Sequence, residues 1–283
     1  MRCCVRDARP DRLAFLLGLL PELAAAGVPV PRPHQALDGA EWVRDEGDRS
    51  WVLLDYLPGQ PLDRVPQHLL ADTADLLARF HAFTPSDPSP VGCEPSWQAW
   101  LGDPDQMRKR VASLASDHPD LLQGYRPHLR HVLQHAELLV HLPMVVWTHG
   151  DVHGGNLLTY GGQVSALLDL DAVDRRPRIW DVAMAVLMLT RAGRGDYRLR
   201  EDRVTAFLTG YRRRAAALTS NEVTAICAMT ALSQLPDPGH LFALRRAGRP
   251  LGEALARPLT ALISMERQRP QVQTWLSRWQ ATC

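Results

Sequence analysis

The chain has 283 residues and a formal net charge of +1 at pH 7. That length can bury a large core, while so even a charge balance excludes a protein that binds nucleic acid through its overall field. No apolar run reaches transmembrane length and Met1 to Arg12 is polar and basic, so neither a membrane span nor a leader peptide is expected. Cys3, Cys4, Cys93, Cys227 and Cys283 show neither paired nor metal-ligand spacing, which fits a reducing cytoplasm.

In chain order, Arg2 to Arg6 predicts a short strand, and Asp11 caps a helix over Arg12 to Ala26 that stops at Gly27. A Pro-rich entry leads to a hairpin of Pro33 to Leu37 and Ser50 to Asp55, and Trp51 to Gly59 is expected to be a buried strand ending in a turn. Apolar residues Leu69, Leu70, Ala74, Leu77 and Phe80 recur at helical spacing, predicting a core helix over Val65 to Phe83. Thr84 to Pro95 is a Pro/Ser loop, Ser96 to Leu101 a short aromatic helix, and Pro119 to Val140 mostly helical. His128, His131 and His135 in that stretch have helical spacing, but no cysteine or placed acid completes a metal site with them, so a solvent-facing stripe is expected.

Chemistry concentrates in Val145 to Val182, VVWTHGDVHGGNLLTYGGQVSALLDLDAVDRRPRIWDV. A Val-rich strand, Met144 to Trp147, runs into the polar loop His149-Gly150-Asp151-Val152-His153-Gly154-Gly155-Asn156. Strands Leu157 to Tyr160 and Val164 to Leu168 flank the turn Gly161-Gly162, and the second strand delivers Asp169 and Asp171 beside the loop. Asp151 on its Gly-flanked loop can face a substrate, while the amide oxygen of Asn156 and the carboxylate of Asp169 suit a hard cation such as Mg²⁺. One base with an Asn/Asp pair for Mg²⁺ is the set that phosphoryl transfer from a nucleotide needs. Asp181 starts a helix, Val182 to Leu189, as its cap, and Arg175, Arg176 and Arg178 just before it are either solvated or face an anionic substrate group. Further helices are expected over 201–217, 220–235, 239–247, 251–267 and 271–280, with Ser220 and Glu222 marking a capped start.

The linked elements HGDxHxxN, LLDxD and WDxA resemble the aminoglycoside phosphotransferase/choline kinase-like family, small-molecule relatives of protein kinases. The resemblance runs from about residue 2 to at least residue 235. It implies an α+β, protein kinase-like two-lobe fold: a shortened N-terminal β lobe with hinge over 1–58, and a mostly helical C-terminal lobe over 59–283. By this resemblance Asp151 is the catalytic base, Asn156 and Asp169 are the metal ligands, His149 and Asp181 brace the catalytic loop, and His153 is structural. Asp55, Tyr56 and Leu57 match the hinge that meets adenine, and Arg2 stands where the family has its phosphate-binding Lys, an exchange that is not neutral. The family's first two strands and nucleotide-covering loop have no counterpart before Arg2, which fits either a coding start further upstream or a variant with a reduced nucleotide lid. Glu22 is the one acid inside the first helix after its cap, and it sits late for pairing with Arg2, so a solvated acid is expected.

The implied activity is transfer of the γ-phosphate of ATP, with Mg²⁺, to a hydroxyl of a small molecule, in the cytoplasm and without nucleic-acid or membrane partners. From Arg191 onward the chain has fifteen Arg against seven Asp or Glu, which disfavours a polycationic aminoglycoside and favours a small hydroxylated metabolite, such as one bearing a carboxylate. Two other classes stand beside this: a pseudokinase or nucleotide-binding module that keeps the fold without transfer, and a metal hydrolase built on His149, Asp151 and His153.

Overall fold

The computed structural model describes residues 2–4, 10–46, 49–62, 64–86, 132–143, 146–193, 195–235 and 246–282, with isolated positions between 101 and 130 and at 244. Most of the expected helices over 96–101 and 239–247, most of the loop over 84–95, and His128 and His131 lie outside the described residues, as does the side chain of Arg2. The chain divides into two compact units, residues 1–94, 144–178 and 206–216 in the first and 95–143, 179–205 and 217–283 in the second.

In the first unit, β1 (Arg2–Cys4) pairs antiparallel with β4 (Ser50–Leu54), which also pairs with β2 (Pro33–His34) and β3 (Val43–Arg44). Between β1 and β2 lies α1 (Pro10–Ala25), whose Leu13, Leu17, Leu20 and Leu23 recur every three or four residues and are all buried. The helix closes on paired bonds, from the Val28 amide to the Leu23 oxygen and from the Gly27 amide to the Ala24 oxygen. The segment expected to be a wholly buried strand is buried on one face: Ser50 and Val52 point inward while Leu53 is 47% exposed. A small edge sheet has partners on one side of its pleat only, so alternation replaces continuous burial. After β5 (Gln60–Pro61), α2 (Leu70–Ala82) supplies Leu70, Leu77 and Phe80 to the core, within the expected span but entered through a 3₁₀ turn.

The second unit contains α3 (Ala136–Val140). The chain then returns to the first unit for β6 (Val146–Thr148), β7 (Leu157–Tyr160), β8 (Gln163–Leu167) and β9 (Asp174–Arg176). There β7 sits between β5 and β8, and β6 pairs with β9. Back in the second unit, α4 (Ile179–Thr190) is buried on nearly every side, as its largely apolar sequence demands. The hairpin of β10 (Arg191–Gly193) and β11 (Asp196–Leu199) follows, a pair the helical periodicity did not reveal.

The next helix, α5 (Glu201–Arg212), passes from the second unit into the first and ends five residues before the expected Ala217. In the second unit α6 (Ser220–Gln234) packs between α4 and α7 (Leu251–Ala281). Its cap is Thr219, one residue before the expected Ser220: the Thr219 hydroxyl accepts from the Glu222 amide, and Glu222 accepts from the Thr219 amide in return. A break was expected near Pro270, yet α7 is continuous. Leu255, Leu262, Met265, Val272, Leu276 and Trp279 form one buried stripe whose register crosses Pro270 unchanged. Each such side chain contributes about 1.5–3 kcal/mol, so the stripe outweighs the roughly 3 kcal/mol cost of one interior proline.

Candidate functional site

The site is built in the first unit where β6 ends. Thr148 and His149 are fully buried, and the Thr148 hydroxyl donates to the Asp174 oxygen of the paired strand at 2.9 Å. The imidazole of His149 spans the site. Its Nδ1 accepts the Asp151 amide at 3.2 Å, so its proton sits on Nε2, which donates to the Leu168 oxygen at 2.8 Å. The Phe80 ring meets this imidazole edge-on, with centroids 6.1 Å apart. One buried side chain thus ties the start of the loop to the residue just before Asp169.

Asn156 provides the second tie. Its Nδ2 donates to the Asp151 main-chain oxygen at 2.9 Å and to Asp151 Oδ2 at 3.3 Å, and its main-chain oxygen accepts the Leu168 amide at 2.8 Å. Through Leu168, both His149 and Asn156 fix the residue preceding Asp169. His149, Asp151 and Asn156 are therefore brought together by hydrogen bonds, and Asp169 directly follows Leu168, the residue that His149 and Asn156 both hold. Asp169 itself takes a left-handed conformation, φ 60° and ψ 69°, alone among the described non-glycine residues in having positive φ. Such strain in a residue with a Cβ persists only where its surroundings hold it.

Asp151 keeps 45% of its side chain exposed while His153 Nε2 lies 3.5 Å from its Oδ2. That contact, aided by the nearby His149 and the Asn156 amide, holds the Asp151 carboxyl below its ordinary value against the opposing effect of burial. The same imidazole also shapes the loop. His153 Nδ1 accepts the Gly155 amide at 3.0 Å and so caps the 3₁₀ turn Gly154–Asn156.

The chain after the expected hinge runs alongside this loop. The Leu62 amide donates to the Gly154 oxygen at 3.0 Å, and a Cβ on Gly154 would lie 2.3 Å from the Leu62 oxygen, so the close approach requires glycine there. No motif in the sequence announced that contact. At the expected hinge, Asp55 is engaged with the entry to β2: its amide donates to the Arg32 oxygen, and its carboxylate bonds His34 Nε2 at 2.6 Å. The His34 contact lowers the Asp55 carboxyl from its ordinary value. The main-chain groups of Tyr56 and Leu57 make no hydrogen bond among the described residues, and Tyr56 is 88% exposed.

Several expected placements change. Glu22 is not a free surface acid: its carboxylate accepts from both the amide and the hydroxyl of Ser86. Asp181 lies in the first turn of α4, whose first residue is Ile179, so it is not the cap; it is fully buried, where a carboxylate favours the positive end of the helix. Arg176 is neither solvated nor turned outward: it donates to the Thr148 hydroxyl and the Ala172 oxygen and faces Asp174. Arg178 donates to the Ala216 oxygen. The Arg2 backbone pairs with Val52, and its side chain lies outside the described residues. Among the described residues no cluster of three or more His, Cys, Asp or Glu is arranged to hold a metal ion, and no helix is long and apolar enough to cross a membrane.

A sequence profile of the phosphotransferase enzyme family (APH) matches residues 2–217. An uncharacterized protein of Deinococcus radiodurans is 27% identical over 225 residues, covering 77% of this chain. The matched part spans 63% of that relative's length. Among solved structures, an aminoglycoside phosphotransferase from Alicyclobacillus acidocaldarius superposes with a TM-score of 0.65 at 20% identity, over 97% of this chain and 85% of that one. A microcompartment-associated aminopropanol kinase does so with a TM-score of 0.64 at 18% identity, over 96% and 86%. These likenesses show the α+β, protein kinase-like fold, with small sheets and a high helical content.

Proposed function

Because the chain belongs to the phosphotransferase enzyme family, we propose that it moves the γ-phosphoryl group of ATP to a hydroxyl of a small molecule. In this reading residues 1–58 bind the nucleotide, with the free main-chain groups of Tyr56 and Leu57 meeting adenine, and residues 59–283 carry the acceptor and the catalytic loop.

The observation that carries the reading is the pairing of Asn156 with Asp151. With both bonds from its Nδ2 directed at Asp151, Asn156 turns its amide oxygen away, and that oxygen makes no bond among the described residues. An amide oxygen from Asn156, paired in this reading with the carboxylate of Asp169, whose neighbour Leu168 bonds the Asn156 main-chain oxygen, is a hard donor set that fits Mg²⁺. Bound there, Mg²⁺ would neutralise charge on the nucleotide phosphates. Asp151, held ionised by His153, orients the acceptor hydroxyl and takes its proton as the acceptor oxygen bonds to phosphorus and ADP leaves with the electron pair of the broken bond. His149 keeps the two arms of the site in register.

The acceptor in this reading is a small hydroxylated metabolite. The Arg-rich last third of the chain, after residue 190, supports an acceptor without multiple positive charges. The test is ADP release by purified protein with ATP and Mg²⁺ against a panel of small alcohols, amino alcohols and hydroxy acids, beside aminoglycosides. Acceptor-dependent release that disappears in Asp151→Asn supports the proposal. Tight ATP binding with no release for any acceptor would favour a binding module of the same fold.

A further inference from the structure

We propose that Arg12, on α1, is a positioning residue for the arm of the site that carries Asp169; the proposal rests on the metal-ligand reading of Asp169 above. The Arg12 guanidinium donates from Nη2 to the main-chain oxygens of both Asp171 and Val173, across 159 and 161 residues of chain. The oxygen between them, on Ala172, accepts from Arg176 Nη1 at 2.9 Å. Three successive carbonyls shortly after Asp169 are therefore held by two arginines reaching in from different elements. The guanidinium is itself fixed, stacked 5.3 Å from the centre of the Phe15 ring, which packs 5.4 Å from Trp147 on β6.

The turn needs such support. Leu170–Ala172 is one turn of 3₁₀ helix closed by the Val173 amide on the Leu170 oxygen, and it begins at Asp169 in its strained left-handed conformation. A turn this short has little internal stability, and its outward carbonyls would otherwise accept from water. By bridging the first and third of them, Arg12 fixes the rotation of the turn and with it the direction of the Asp169 carboxylate. The two N–H bonds of Nη2 lie in the guanidinium plane and point in fixed directions, whereas a lysine ammonium rotates freely on a flexible stem and holds two acceptors less rigidly. The contact also makes α1 a part of the site, although none of its residues reaches the reacting groups.

Arg12→Met keeps an unbranched apolar side chain and removes every donor, and Arg12→Lys keeps the charge. The probe is the ATP-induced rise in melting midpoint, measured as MgCl₂ is titrated, together with the rise given by ATP in EDTA. For Arg12→Met the MgCl₂ concentration giving half of the full rise should increase about 10-fold or more, as for other groups that orient metal ligands. Arg12→Lys should give a smaller increase, and the rise in EDTA should match the wild type for both. A purely structural role would lower the midpoint alike in all conditions and leave the magnesium dependence unmoved, and that result overturns the proposal while the assigned function stands. Wild-type protein whose ATP response ignores MgCl₂ would overturn both together. Should Arg12→Met fail to fold, the same comparison is decided with Arg12→Lys.

Discussion

Asn156 gives both of its side-chain hydrogen bonds to a single residue, Asp151, one to its main-chain oxygen at 2.9 Å and one to Oδ2 at 3.3 Å. Asn156→Asp cannot donate either bond and sets a second carboxylate against the first. Like charges that close cannot both ionise freely, so the pair should hold a proton at higher pH than Asp151 does alone. We predict that transfer falls by about 10²-fold or more and that the acid limb of the kcat/KM profile moves to higher pH. Steady-state kinetics across pH check this; a variant within a few-fold of wild type, with the same profile, would speak against the pairing's role.

Asp151→Asn tests the base itself. The replacement is nearly isosteric and the position is half exposed, so folding should be little affected. Phosphoryl transfer should drop by roughly 10²–10⁴-fold. The melting shift with ATP and MgCl₂ should persist, because Asp151 is not one of the proposed ligands. Loss of nucleotide binding in a folded variant would reassign the residue.

His153 should tune Asp151. The imidazole contact keeps the carboxyl below its ordinary value of 3.8, so this group stabilises the fold above that value and the contribution is lost as pH falls through the lowered one. His153→Asn retains an acceptor for the Gly155 amide, since Asn caps well, but removes the ring beside Asp151. The carboxyl titration, followed by its ¹³C chemical shift, should therefore move upward toward 3.8 while the turn stays intact. An unmoved titration would show that His153 serves the turn alone.

Cys227 offers a check on the second unit's core. Burial pushes its thiol up to about 12, and the residue is 4% exposed on α6. At pH 8 only about one thiol in ten thousand would be ionised, and the thiolate is the reactive form. Iodoacetamide should leave Cys227 unmodified in the native protein and label it in urea, as read by peptide mass. Labelling in the native state would mean that α6 opens far more readily than its packing implies.

The local motifs were legible because each is a short-range device. Gly161-Gly162 turns β7 into β8, and that hairpin returns the chain to Leu168, which His149 and Asn156 of the loop both bond. What stayed hidden depends on partners far along the chain. Nothing near Arg12 shows that it will bond carbonyls beyond residue 170, and nothing near Glu22 shows Ser86. The β10–β11 hairpin is hidden because Arg191 to Leu199 is largely polar, and the unity of α7 because Pro270 opposes a helix locally while the stripe that overrides it is spread along the whole element. Asp181 misleads for a related reason: its type suits a cap, yet the helix begins two residues before it, directly after Pro177 and Arg178.

Two glycines separate backbone strain from crowding. Gly161, at φ +60°, has open space where a Cβ would stand, so Gly161→Ala should cost only the left-handed conformation, about 1–2 kcal/mol. Gly150, at φ +82°, carries a similar conformational cost, but its Cβ would lie 2.3 Å from the Ala172 oxygen and 2.7 Å from Arg176 Nη1. The first of these is backbone and cannot swing aside. Overpacking of that kind adds about 1–3 kcal/mol, so Gly150→Ala should be the more destabilising of the two in urea unfolding. The two changes should also differ in activity. Relief at Gly150 has to come from moving the loop away from Ala172, and that carries Asp151 away from the turn that follows Asp169. Folded Gly150→Ala protein should therefore lose most of its transfer, whereas Gly161→Ala protein should keep it. Equal destabilisation with equal activity would mean that the loop and the turn are not packed as tightly as these distances require.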